Sequence, residues 1–270
     1  MGGLHEKMKI IQSFITKNEC FIIGRNMAPK GVLVHSTGVP NVNLRRYVPN
    51  DKNGLIGENQ NNNTWNQFRP DGRQVAVHAW IGRLIDGTIA TAQTLPWDMR
   101  GWHAGGIAND THIGFEICED GLIDRAYFDS VYKEAMEFCA FLCKQFSLDP
   151  MKDGVVICHS EGAARGIASN HADVMHWFPR HGKNMNMFRS DVQAEINRSR
   201  DGGKKLEQSE FNKMMDIYLT EQAKKNTSEW VDLEGSWKKA VAKKIFDGTS
   251  PQSALTREMA AAVIDRLGLI

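Results

Sequence analysis

Two short apolar runs, each closed by a histidine, constrain this chain more than any other feature. Val155, Val156 and Ile157 are β-branched and read as a buried strand, with His159 at its carboxyl end. Far upstream, Lys30 to His35 (KGVLVH) repeats the pattern, and Gly38 and Pro40 then stop it. In open α/β sheets the crevice beyond the carboxyl ends of the strands is where sites form. Behind His159, a Gly/Ala/Ser/Asn stretch marks a loop that delivers His171, Asp173 and His176 together. If the two strands are neighbours, His35 and His159 point into one crevice, where Asp173 can complete a set of two histidines and one carboxylate. Such a set leaves the fourth position of a zinc ion open. Taken alone, these are also ordinary polar loop residues, because HExxH, HxHxDH and paired CxxC signatures are all missing.

Between the two runs the chain reads as alternating strand and loop. Cys20 to Gly24 (CFIIG) reads as a first strand, and residues 39 to 74, rich in Asn, as a long loop of the kind that is usually functional or mobile. Val75 to Ile81 alternates cleanly, and Asp86-Gly87 marks a hairpin turn into Thr88 to Thr91. Gly101 to Gly106 is a glycine-rich turn holding Trp102 and His103. His112 to Cys118 is a further strand with an isolated Glu116 that faces away from its apolar neighbours Phe115 and Ile117. Phe128, Val131, Tyr132, Ala135, Cys139, Leu142, Cys143 and Phe146 recur at helical spacing, so a long amphipathic helix covers the sheet, with Cys139 and Cys143 as packing residues. Phe188 to Ile196 reads as a short helix, and Asn197 to Lys205 has linker composition, which places a domain boundary there.

The last sixty or so residues carry three helical patterns. Ser209 can cap the first, Trp237, Val241 and Ile245 mark the second, and Thr256 caps the third, with Asp247-Gly248 and Pro251 as punctuation. A DNA-reading helix-turn-helix is disfavoured, since Glu258 and Asp265 sit on the recognition position and no basic patch accompanies them. The whole chain agrees: 33 basic against 32 acidic residues give a net charge of +1, which argues against nucleic acid as a partner. Five cysteines, odd in number and without paired spacing, suit a reducing compartment. The first residues lack the apolar core of a signal peptide, Lys7 stands near the place where a myristoylation motif wants Ser or Thr, and no run is long enough to span a membrane.

Other hydrolytic chemistries fit poorly. HSEG lacks the glycine that a nucleophile elbow needs two places before its serine, and Cys158 and His159, adjacent in a strand, face opposite sides of a sheet.

Taken in order, KGVLVHSTG, VAVHAWIGRLIDGTI, WHAGG, IGFEI, ICHSEG and NHAD with the FRSDV helix resemble the zinc-dependent N-acetylmuramoyl-L-alanine amidases of the peptidoglycan-recognition type, especially phage endolysins. The resemblance covers about residues 10 to 200. It implies an α/β fold, a mixed central sheet flanked by helices, one zinc ion, and cleavage of the amide between N-acetylmuramic acid and L-alanine in peptidoglycan. His35 and His159 match the two histidine ligands. Relatives carry Cys or Asp as the third ligand, usually before proline, and a lysine two residues earlier; here these positions hold Asp173-Val174 and His171. Asp173 is then the ligand and His171 the group beside the oxyanion, with the reverse assignment still open. Val77 stands where many relatives have tyrosine, which leaves the proton-handling role to Glu116. His78 and His103 are expected as floor or wall residues and, with Trp102, as substrate-binding positions; Trp65, Trp80 and Trp97 also fall in segments that could line the groove.

The expected organisation is an amidase domain over residues 1–200 and a small all-helical C-terminal domain over 206–270. The latter is similar to a single S-layer-homology-like unit, for which wall binding and pairing of two tails into a homodimer are rival roles. With no signal peptide and an extracellular substrate, the chain is expected in the cytoplasm of the producing bacterium until a separate membrane lesion releases it. The rival functional class is a non-catalytic peptidoglycan-binding module, against which the complete set His35, His159 and Asp173 speaks, since binding alone requires no metal set.

Overall fold

The structure, a computed structural model, describes residues 10–200, 208–226, 231, 235–246, 248–253 and 255–270. The chain divides into two compact units, Met1–Gly202 and Gly203–Ile270. The first is built on a six-stranded mixed sheet of order β1-β4-β3-β5-β2-β6. Its strands are β1 (Ile10–Gln12), β2 (Gly31–Pro40), β3 (Ala79–Arg83), β4 (Ile89–Gln93), β5 (His112–Glu119) and β6 (Val156–Cys158). β3 and β4 form the antiparallel hairpin, and every other neighbouring pair is parallel.

The alternation of side chains along the central strands decides which face does what. Val32 and Val34 of β2, Ile113, Phe115 and Ile117 of β5, and Ala79 and Ile81 of β3 all enter one buried cluster. The helix α2 (Arg125–Gln145) covers that face, its first turn capped by the Asp124 carboxylate accepting from the Tyr127 amide. α4 (Met185–Arg200) adds Phe188, Val192 and Ile196 to the same cluster. Phe128 is its aromatic hub, edge-on to Trp177 and Phe178 at 5.3 and 5.7 Å and stacked on His181 at 4.1 Å. Phe128→Ala would cost about 3–5 kcal/mol, because so enclosed a site cannot collapse around the hole; a urea midpoint shift measures it.

The opposite parity sends His35, Glu116 and Trp80 to the other face. Parallel pairing aligns His35 with Glu116 and Trp80 with Glu116, so the three stand side by side across β2, β5 and β3. A bulge between Ser36 and Pro40 carries β2 past the Gly38 expected to end it.

Several expected elements differ. Cys20 to Ile23 is helical, within α1 (Glu19–Ile23): the Asn18 side chain accepts from the Cys20 amide, and Gly24 closes the turn in the left-handed region at φ 62°. These two caps outweigh the β-preference of a run too short to show its period. Only the end of Val75 to Ile81 is strand; before it, Ala76 pairs with Trp102 in an isolated bridge and the His78 amide donates to the Gly114 carbonyl of β5. His159 begins a short helix, α3 (His159–Ala164), where a loop is expected, and Glu161 accepts from the Cys158 amide at its start.

The described elements of the second unit are helices: α5 (Gln208–Ala223), α6 (Ser236–Ala242) and α7 (Arg257–Arg266). Ser209 lies inside α5, whereas Thr256 does cap α7 through the Met259 amide. The expected linker beyond Arg200 and the Asp247 turn lie outside the described residues.

Candidate active site

The parity of β2 and the start of α3 bring His35 and His159 to one point, with ring centroids 5.0 Å apart. The loop before Val174 lays Asp173 between them. Its Oδ2 lies 2.9 Å from His35 Nδ1 and 3.5 Å from His159 Nδ1. Among the described residues these three form a group whose ligand-capable atoms all fall within 4.8 Å of one another. Both imidazoles are almost wholly buried, at 1% and 5% exposure.

The far nitrogens of the two rings are held as donors. His35 Nε2 meets His103 Nδ1 at 3.0 Å, and His103 Nε2 meets the His112 carbonyl at 3.2 Å. His159 Nε2 meets Ser169 Oγ at 3.1 Å, and that hydroxyl reaches the Ala104 carbonyl at 3.2 Å. Each chain has three links counting the one to Asp173, but neutral groups supply only two hydrogens to it. Both chains must end as donors to a carbonyl, so the shortage falls on the two Nδ1 atoms facing Asp173. A cation bound there by two imidazole lone pairs and a carboxylate closes both chains without charging a buried ring. The donor set therefore fits a zinc ion, with outer hydrogen bonds fixing each ring's tautomer.

Burial, its largest influence, would raise the Asp173 pKa, but the two imidazoles facing it, His159 and His35, outweigh burial and hold the carboxyl well below its usual range. Burial lowers the pKa of both His35 and His103; at His35 the Asp173 carboxylate opposes it while the His159 and His171 rings add to it, and at His103 the His35 and His78 rings lower it further.

Gly114 makes the His103 contact achievable, because a Cβ there would overlap the His103 ring. His103→Ala should weaken metal affinity about 10- to 100-fold, the usual effect of removing a partner that orients a ligand. Competition with a chromogenic chelator measures it.

A cleft of about 770 Å³ opens above these residues, lined also by Glu116, Trp80, Tyr47, Trp65, Trp102 and His171. Residues 25–179, more than half of the chain, match the family described as N-acetylmuramoyl-L-alanine amidase (Amidase_2). The chain belongs to this amidase family. A comparison with curated protein sequences finds no match. Among solved structures it resembles the Staphylococcus aureus hydrolase AmiA in complex with its ligand, at 20% identity and TM-score 0.50, over 73% of this chain and 87% of that one. It also resembles a mutant endolysin from Bacillus subtilis (23%, TM-score 0.44, 69% and 99% covered). A third is the N-acetylmuramoyl-L-alanine amidase LysC from Clostridium intestinale URNW (15%, TM-score 0.42, 71% and 99%). The likeness to AmiA is one of fold.

In this amidase Glu116 lines the cleft with its Oε2 buried and without a hydrogen-bond partner. Burial, then the charges of Asp173 and Glu119, push its pKa well above the ordinary carboxylate range. His171 is exposed, its ring 4.5 Å from that of His159, outside the three-residue group. Trp102 is 39% exposed on the cleft, with the Arg100 guanidinium 4.9 Å from its ring centroid.

His78 differs from the expected substrate-binding role. It is fully buried, its Nε2 donates to the Met99 carbonyl at 2.7 Å, and its Nδ1 accepts from the Gly114 amide at 3.0 Å. Burial takes its pKa down to about 4, so it is a neutral strut under the cleft. Trp97 likewise packs in the core, against Phe138.

Two cleft residues were not foreseen from sequence. His176, delivered by the same loop as His171 and Asp173 but given no role, lines the cleft, and its Nε2 donates to the buried Glu119 carboxylate at 3.0 Å. Tyr47 stacks on Trp80 at 4.3 Å, and the pair forms an aromatic wall beside Glu116.

Proposed function

We propose that the chain hydrolyses the amide between N-acetylmuramic acid and L-alanine in bacterial peptidoglycan, with zinc held by His35, His159 and Asp173. The observation that carries this reading is the convergence of those three donors at the floor of a cleft in a chain of the amidase family. When bound, zinc supplies Lewis acidity, which acidifies water and polarises an amide carbonyl.

The chain's own residues handle the proton and the charge. Glu116 Oε2 has no competing donor, so it is free to take a proton from the attacking water and pass it to the leaving nitrogen. A carboxyl with a raised pKa is the stronger base, and it holds that proton long enough to deliver it. His171, exposed at the rim beside His159, is placed to donate to the oxyanion of the tetrahedral species, an interaction commonly worth about 3 kcal/mol. Trp102, exposed on the cleft, offers an aromatic face suited to a sugar ring, while Tyr47 and Trp80, stacked and almost wholly buried, back the cleft wall.

Mass spectrometry of fragments from digested walls tests the reading. New N-terminal alanine and free muramic lactyl groups support it; glycosidic or internal peptide cuts overturn it, and tight wall binding without any cut favours the recognition module.

We assign the C-terminal unit to wall attachment or pairing with a second copy. α5 exposes Phe211, Met214, Ile217 and Tyr218, an apolar surface that suits either. A chain ending at Gly202 should keep its fold, metal and hydrolysis of soluble muropeptides while losing wall retention, oligomeric mass or both. Sedimentation and a wall pull-down separate the two; unchanged values in both would remove both roles. No described helix is long and apolar enough to cross a membrane. All five cysteines are buried free thiols, which supports storage in a reducing cytoplasm before release to the wall.

A further inference from the structure

One glycine-flanked turn, residues 101–106, holds both ligand histidines from outside. It contains His103, whose Nδ1 meets His35 Nε2 at 3.0 Å. The next residue is Ala104, whose carbonyl accepts from the Ser169 amide at 2.8 Å and from the Ser169 hydroxyl at 3.2 Å; that hydroxyl meets His159 Nε2 at 3.1 Å. The two hydrogen-bond chains therefore pass through adjacent residues. Gly101, Gly105 and Gly106 surround them with backbone that has wide conformational freedom, and Gly105 takes a φ of 69°. The glycines do not by themselves fix where the turn lies.

Asn109 does. Its Oδ1 accepts from the His103 amide and from the Ala104 amide, each at 2.8 Å, and neither amide has another acceptor among the described residues. Asn109 is 1% exposed, and its Nδ2 is buried with no partner. Leaving that N–H group unpaired costs free energy, so the side chain is placed for its oxygen alone. Asn109 has its own anchors: its amide donates to the Gly106 carbonyl at 3.1 Å, and the Ala108 amide donates to the Ile167 carbonyl at 2.9 Å.

We propose that Asn109 is a positioning residue for the metal centre, one oxygen orienting His35 through His103 and His159 through Ala104 and Ser169. It does not line the cleft, so its action passes entirely through those neighbours. The proposal rests on the three-ligand reading above and adds a coupling to it: loss of this one side chain loosens both imidazoles together.

The test uses the full chain. Competition with a chromogenic chelator measures zinc affinity, and the absorption spectrum of the cobalt(II)-loaded protein reports ligand geometry. Asn109→Ala should weaken zinc binding by about 10- to 100-fold and alter the cobalt spectrum, as the removal of an outer partner does. Asn109→Asp, which keeps the accepting oxygen, should recover most of both. If circular dichroism shows Asn109→Ala unfolded, Asn109→Ser takes its place, since its hydroxyl keeps a polar group there but is too short to reach both amides. The loss should also shrink in a His103→Ala or a Ser169→Ala background, where one of the two chains is already cut. Equal losses in all three backgrounds, or a lower melting temperature with zinc affinity and cobalt spectrum unchanged, overturn the proposal. Zinc binding that needs His35 but not Asn109 defeats the proposal alone, whereas binding that survives His35→Ala defeats the three-ligand reading and the proposal with it.

Discussion

His35→Ala is expected to empty the metal centre and abolish wall hydrolysis in the same step. The imidazole is buried, shares Asp173 Oδ2 with His159, and anchors the chain of hydrogen bonds through His103 to the His112 carbonyl. Without it two donors remain, too few for a three-ligand site with one open position. The loss of several kcal/mol of Lewis-acid stabilisation corresponds to a fall of about 10³-fold or more in turnover. Metal analysis, circular dichroism and release of wall fragments should be measured on one preparation. A variant that is folded, free of metal and still lytic would show that the ligand assignment is wrong.

Glu116→Gln separates chemistry from coordination. The substitution keeps shape and removes the base, so metal content should hold and the melting temperature should not fall, while kcat drops by about 10²- to 10⁴-fold. Stability should even rise slightly, since the buried Oε2 has no donor and sits among the charges of Asp173 and Glu119. The sign of the pH effect follows. A carboxyl with a raised folded-state pKa is protonated, and idle as a base, below that value. Activity should therefore climb with pH through a limb above the ordinary glutamate value of about 4.3, and the residual activity of Glu116→Gln should lack that limb. A variant with full turnover would move the base to another residue, with His171 the first to examine.

What the sequence made legible follows the length and regularity of its patterns. β5 and α2 could be placed because eight and twenty-one residues carry enough period to be unambiguous. The same parity put Glu116 on the crevice face opposite Phe115 and Ile117, where the structure has it. α1 was hidden because five apolar residues fit either period; its caps, Asn18 and Gly24, were the signal to weigh. α3 was obscured by small residues that read as loop.

Within the site, His35 and His159 declared themselves as strand-end imidazoles, but spacing could not choose between Asp173 and His171. The backbone turns Asp173 toward both Nδ1 atoms and leaves His171 at the rim. Partnerships across distant elements left no local trace: His176 with Glu119, Ser169 with His159, and the burial of His78 beneath the cleft all depend on packing. Asn109 was equally hidden, since nothing in the run Ile107 to Asp110 announces a side chain that accepts from two amides at once.

A zinc titration separates a metal-dependent amidase from a metal-free one. Protein stripped by a chelator is given zinc in steps, and muramoyl-alanine cleavage is followed alongside bound metal by native mass spectrometry. No cleavage is expected at zero zinc, with a rise that saturates at one ion per chain and with neither binding nor recovery in His35→Ala. Full cleavage by the stripped protein, or recovery that does not track an ion lost with His35, would contradict it.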